Sequence, residues 1–216
     1  MHIQHAIFDL DGTLIDSMPI WRNLQVDAME ESLGHTFTKE QRALYIQYPY
    51  PDVIKMLPDA DKSDESYVFS KSMERMTKNY HAGAIELKPG AEEYLTYLHD
   101  HGCKVALATA TPRELFEPYL KIKGIYDLFD YTVTSDEVHA EKFESPKIYE
   151  TAMAALGGTK ENTAVFEDVY FTVRMAKSAG FYIVAIDDGI IQKATLEDIL
   201  AHADRFIHSF KEMIEE

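Results

Sequence analysis

The chain carries a single cysteine, Cys103, in 216 residues, so no internal disulfide can form and any stability has to come from packing. It is also short of positive charge. Against 37 Asp and Glu stand only 21 Lys and Arg, a net charge of −16. Such a surface repels nucleic acid and anionic membrane, and neither is expected as a partner. No stretch approaches the roughly 18 apolar residues of a membrane span. Met1–His5 has no basic segment leading into an apolar run, so a cytoplasmic protein is expected. Glycine and proline number only 10 and 8, and there is neither a Gly/Ser-rich linker nor an internal repeat. What is present is 46% hydrophobic residues, too many for a disordered chain. The length fits one large domain or a domain with an insertion, as a monomer or homodimer.

Ile3–Phe8 reads as a buried strand ending on a cluster of carboxylates. From about Asp16 to Leu87 the apolar residues, among them Trp21, Leu24, Met29, Leu33, Tyr67 and Met76, recur at helical spacing without strand alternation. Tyr45–Pro51 interrupts that pattern with two prolines and reads as a tyrosine-rich loop. After Lys88-Pro89-Gly90 the texture changes to short apolar strands, at 104–109, 131–134, 163–167, 181–186 and 206–208, separated by helices. Thr111-Pro112-Arg113-Glu114 has the form of a capping box, and a last helix is expected at the end of the chain. This alternation predicts an α/β fold: a Rossmann-like parallel sheet flanked by helices, with an inserted α-helical cap domain. The core domain is assigned to 1–15 and 88–216 and the cap to 16–87.

The informative segment is Phe8-Asp9-Leu10-Asp11-Gly12-Thr13-Leu14-Ile15-Asp16-Ser17. Residues two apart on a strand share a face, so Asp9 and Asp11 leave the strand end together. That end is where open parallel sheets bind ligands. Two adjacent carboxylates repel, and a divalent cation would relieve them. Gly12 permits a tight turn and a close approach to the backbone. The competing reading is an Asx-type turn that merely closes a strand. A calcium loop fails, because the acidic residue due two positions after Asp11 is absent.

The segment resembles the first motif of the haloacid dehalogenase (HAD) superfamily, Asp-x-Asp-Gly-Thr-Leu-x-Asp-Ser. The resemblance extends along essentially the whole chain, with the insertion where that superfamily places a helical C1 cap. Ala108-Thr109-Ala110-Thr111 resembles the second motif. Lys142-Phe143-Glu144-Ser145-Pro146 resembles the third with one extra residue before the proline, leaving Lys147 as the alternative cation. Val165-Phe166-Glu167-Asp168 resembles the fourth, although Val169–Thr172 replaces the usual Ser-x-x-Gly.

The resemblance implies a phosphatase that forms an aspartyl-phosphate on Asp9, with Asp11 as general acid and base. Thr109 and Lys142 would hold the phosphoryl group. Mg2+ would sit on Asp9, the Asp11 carbonyl, Asp168 and Glu167, an all-oxygen set suited to that ion. Gly12, Thr13 and Ala110 would border the phosphate. Trp21, Arg22, Tyr48, Tyr50, Lys55, Lys71 and Lys78 are cap candidates for contact with a small phosphorylated substrate, a sugar phosphate among the options.

Two other readings stay open. One is a phosphosugar mutase of the beta-phosphoglucomutase type, although Ile20-Trp21 stands where that group carries a histidine. The other is a non-catalytic phospho-ligand-binding protein, although none of the four motif residues is missing. The His99–Cys103 cluster and Gly157-Gly158-Thr159-Lys160 are read as helix-end features and not as sites.

Overall fold

The computed structural model describes residues 3–47, 54–190 and 193–214. Six strands form one parallel sheet: β1 (His5–Phe8), β2 (Lys104–Thr109), β3 (Tyr131–Thr134), β4 (Thr163–Glu167), β5 (Tyr182–Ile186) and β6 (Arg205–Ile207). Their spatial order is β3-β2-β1-β4-β5-β6, all neighbours parallel. The strand order therefore reverses between β1 and β4, and the crevice at the carboxyl ends of those two strands is the natural ligand position.

Among the described residues the chain first builds the helices α1 (Met18–Leu33), α2 (Lys39–Gln47) and, after a 3-10 turn at Ala60–Lys62, α3 (Glu65–His81). It then alternates with the strands through α4 (Ala91–Asp100), α5 (Arg113–Ile122), α6 (Ser135–Val138), α7 (Lys147–Leu156), α8 (Tyr170–Ser178) and α9 (Lys193–His202). The last helix expected from sequence is a single 3-10 turn, Phe210–Met213, capped by Ser209.

Strand alternation divides the core in two. Ala6, Phe8, Ala164 and Phe166 face one cluster, where Phe8 stacks on Phe166 at 4.3 Å among Tyr94 and Phe210. Ile7, Val165, Ile183 and Ala185 face the other, against Ile148 and Tyr149 of α7. Each such fully buried apolar side chain contributes about 1.5–3 kcal/mol. A third cluster, with Val26, Met29, Phe37, Leu57 and Val68, lies within the first three helices. Tyr45 belongs to it: the stretch expected to be a tyrosine loop begins instead as the end of α2, where Tyr45 is fully buried. Tyr48, Tyr50 and the two prolines fall outside the described residues.

The α3 helix joins the two territories. Asp64 caps it by accepting from the Tyr67 N–H at 3.1 Å, and Val68, Ser72, Met76 and Tyr80 form its buried stripe at four-residue intervals. Val68 packs in the small cluster, whereas Met76 and Tyr80 pack in the main one. Where the chain leaves and returns to the sheet, two segments pair antiparallel. Asp16 N–H donates to Glu86 and Lys88 N–H to Leu14, both at 2.8 Å. The buried Lys88 ammonium lies 3.2 Å from the Asp16 carboxylate and donates to the Asp187 carbonyl at 3.1 Å.

Candidate active site

Asp9 prolongs β1 by one residue, its N–H donating to the Phe166 carbonyl of β4 at 3.0 Å. Parity then puts Asp9 on the face of Ile7, and Glu167 on the face of Val165, which is paired with Ile7. On that face both meet Lys142. Its ammonium is 2.7 Å from Asp9 Oδ1 and 2.6 Å from Glu167 Oε1. Glu167 is wholly buried and accepts further hydrogen bonds from Tyr149 (2.6 Å) and Thr172 (2.8 Å), so both its oxygens are engaged. Lys147, the alternative cation, instead donates to the Val138 carbonyl at 2.6 Å.

Asp168 leaves β4 on the other parity. Its Oδ1 accepts from the Thr13 hydroxyl at 2.8 Å, while Oδ2 is buried with no hydrogen-bond partner among the described residues. Gly12 has φ +78°, and a Cβ there would stand 2.2 Å from that same oxygen. The glycine is thus required twice, by its backbone conformation and by the Asp168 carboxylate against it. Thr13, read from sequence as a residue bordering the phosphate, is fully buried and its hydroxyl holds Asp168.

These carboxylates crowd one another. Burial, reinforced by Glu167 and opposed by Lys142, pushes Asp9 up to about 7. Burial, then Asp9, Glu167 and Asp188, holds Asp168 well above the usual carboxylate range. Burial on its own would lower Lys142, but Asp9 and Glu167 together outweigh it and hold the ammonium above its ordinary value. The oxygens of Asp9, Glu167 and Asp168 lie within 4.8 Å of one another. Asp9 and the orphaned oxygen of Asp168 fit a divalent cation such as Mg2+, whereas Glu167, expected from sequence as a ligand, has both oxygens taken by Lys142, Tyr149 and Thr172.

Asp11 is not in that ring. Its carboxylate turns toward the helices, accepting from the Tyr80 hydroxyl (2.6 Å to Oδ1, 2.7 Å to Oδ2), from Thr111 Oγ1 and from Trp21 Nε1 at 3.4 Å. Thr111 therefore does not cap α5. The N-cap is Pro112, whose ring offers no hydrogen-bonding group, and the Thr111 hydroxyl donates to Asp11. Thr109, almost fully buried at the end of β2, accepts the Thr111 N–H at 3.0 Å.

Beside Asp11 opens a cavity of about 520 Å³ between α1, α3 and the turn after β2. Trp21, Arg22, Phe69, Met73, Ala110 and Thr111 are among its walls, and Arg22 Nε is buried without a partner among the described residues. Lys71 and Lys78, in contrast, pair with Glu74 on the solvent side of α3, and Lys55 is exposed. His99, Asp100 and His101 are exposed at the end of α4.

Sequence reasoning missed Tyr80, Tyr149, Thr172 and Asp188. Three of them sit in or beside helices, where a buried hydroxyl gives the same pattern as a core residue. Asp188 lies just beyond β5, and only that strand-end position could have pointed to it.

The model of haloacid dehalogenase-like hydrolases matches residues 6–186. The phosphorylated carbohydrates phosphatase of Thermotoga maritima is 29% identical over 201 residues, 90% of this chain and 91% of that protein. The phosphoglycolate phosphatase of Cereibacter sphaeroides is 30% identical, covering 94% of this chain and 93% of its own. The crystal structure of CbbY from Rhodobacter sphaeroides in complex with phosphate superposes with a TM-score of 0.69 at 26% identity, over 98% of this chain and 96% of that one. With that match spanning most of its length, the chain belongs to the haloacid dehalogenase-like hydrolases.

Proposed function

We propose that the protein is a magnesium-dependent phosphomonoesterase acting on a small phosphorylated metabolite through an aspartyl-phosphate. The observation that carries this reading is the meeting of Asp9, Asp168 and Lys142 at the switch point of the sheet, with Asp11 two residues on and outside their ring. That the related proteins named above are phosphatases supports it.

Asp9 is the nucleophile. Its carboxylate oxygen bonds to phosphorus as the bond from phosphorus to the leaving oxygen breaks, and Asp11 gives that oxygen a proton. Water then attacks the phosphorus of the acyl phosphate while Asp11 takes its proton back, and the phosphorus–Asp9 bond breaks to release inorganic phosphate. Lys142 and Thr109 stabilise the equatorial oxygens, where most of the rate enhancement in phosphoryl transfer arises. Glu167 holds Lys142 in place. Mg2+, held by Asp9, Asp168 and the Asp11 carbonyl, would neutralise charge on the phosphoryl group.

Residues 16–87 act as the cap, and the leaving group occupies the cavity beside Trp21 and Arg22. A half-apolar wall with one arginine suits a compact carbon skeleton bearing an oxygen function. The protein works in the cytoplasm as a monomer or homodimer.

Release of inorganic phosphate from p-nitrophenyl phosphate, and then from a panel of sugar phosphates and small organic phosphates, is expected with Mg2+. It is expected to be lost in excess EDTA. Undiminished release in EDTA overturns the metal assignment. Isomerisation of a sugar phosphate without phosphate release would make the protein a mutase, and absence of any reaction would make it a binding protein.

A further inference from the structure

The Asp11 carboxylate is a meeting point of three parts of the chain. Thr111 comes from the turn after β2, Trp21 from α1 and Tyr80 from the last turn of α3. Tyr80 is the one of these three whose hydroxyl lies within hydrogen-bond distance of both carboxylate oxygens, at 2.6 and 2.7 Å, so its single proton is shared between them. The ring cannot drift. It is fully buried, packed edge-on against Tyr119 of α5 with centroids 5.4 Å apart, and Tyr119 is itself tied to the Ile85 carbonyl at 2.9 Å.

We propose that Tyr80 is a positioning residue for proton transfer: through its hydroxyl, α3 fixes where Asp11 presents its carboxyl, so that seating the helical segment and readying the acid are one event. The inference rests on the reading of Asp11 as general acid and base. It accounts for why a tyrosine occupies the core-facing end of a buried stripe otherwise filled by Val68, Ser72 and Met76. A phenylalanine would pack as well there but would leave Asp11 without its main orienting donor. Without Tyr80, Oδ2 would keep Thr111 but Oδ1 would keep only the long 3.4 Å contact from Trp21, so the acid would still be present but misaimed.

The test separates aim from presence by the leaving group. Departure of p-nitrophenolate needs no proton, whereas an alkoxide has to be protonated as it leaves. With enzyme in excess over substrate, single-turnover release of the leaving group reports the first chemical step alone. Tyr80→Phe is expected to slow release of glycerol from glycerol 2-phosphate at least about tenfold, a fraction of the 10²–10⁴ that general acid catalysis supplies. Nitrophenol release from p-nitrophenyl phosphate is expected to stay within about threefold of the unmodified enzyme.

Equal slowing of both substrates, or of neither, overturns the inference. Should Tyr80→Phe not fold, 3-fluorotyrosine at position 80 keeps the ring and alters only the donor, and an unchanged ratio of the two rates is then the overturning result. Failure of the underlying reading looks different: the unmodified enzyme would release neither leaving group.

Discussion

Asp9 and Asp11 stand two residues apart on one strand end, yet they belong to different regions of the molecule. Asp9 is enclosed by Lys142, Glu167 and Asp168, all carried by segments that follow or end sheet strands. Asp11 is held by hydroxyls and an indole, two of them on the helices inserted after β1. The first region concentrates charge, as the rise of Asp9 to about 7 records. In the second, only neutral donors meet Asp11 among the described residues. On the proposed mechanism, the division would leave charge on phosphorus to the sheet and the proton to sheet and helices jointly.

The sharpest way to break that division is Asp9→Asn. If Asp9 alone bonds to phosphorus, its loss lowers kcat by roughly 10⁴-fold or more, the scale seen when a nucleophile is removed. The fold should persist, because the neutral amide relieves repulsion from Asp168 and Glu167 while still fitting beside Lys142. Phosphate release and a melting curve check both halves. Substantial turnover in a folded Asp9→Asn protein would move the nucleophile elsewhere.

A smaller effect distinguishes the two regions by cation. Asp9 is raised from 3.8 to about 7 in the folded protein, so the folded state holds its proton more tightly than the unfolded chain does. Stability from this group is therefore present at low pH and is lost as pH rises through that window, with the penalty complete above about 7. A divalent cation removes that penalty only where the carboxylate is charged. Mg2+ should thus raise Tm by several degrees at pH 8 and by much less at pH 5.5. Asp11→Asn, which keeps the backbone carbonyl, should leave this difference intact, whereas Asp168→Asn should erase most of it. A Mg2+ shift independent of pH would show that the charged ring is not where the ion acts.

The two regions also differed in how far the sequence could reveal them. The sheet-borne half was readable because strands are short, apolar and end on their chemistry: Phe8-Asp9 and Phe166-Glu167-Asp168 place carboxylates one residue past a buried strand. Lys142 was the cation read from sequence, with Lys147 as the alternative because of the extra residue before Pro146, and the structure puts Lys142 and not Lys147 against Asp9. Glu167 was readable as an acid but not as the anchor of Lys142, because Tyr149 and Thr172, which complete its hydrogen bonds, look like ordinary helix residues. Thr111 carried a strong capping signal that tertiary contact overrode. Tyr80 was hidden for the most general reason. Helical periodicity identifies a buried stripe but not which end of the stripe meets a charged group on another element.

The mildest prediction concerns the wall of the cavity, where the proposed substrate would meet both regions. Arg22 lies on α1 one residue after Trp21, with its Nε buried and unpartnered among the described residues. Its side chain makes no hydrogen bond to Asp9 or Asp11 among the described residues, so the binding it adds is expected to be the same before and during reaction. Loss of such uniform binding raises KM and leaves kcat alone. Arg22→Ala is expected to raise KM about three- to tenfold for organic phosphates whose leaving group bears a carboxylate or hydroxyl, the range for one ordinary hydrogen bond at a partly solvated wall. p-Nitrophenyl phosphate, which offers neither of those groups, should be affected least. A fall in kcat at constant KM would place Arg22 with the reacting groups and redraw the boundary between recognition and chemistry.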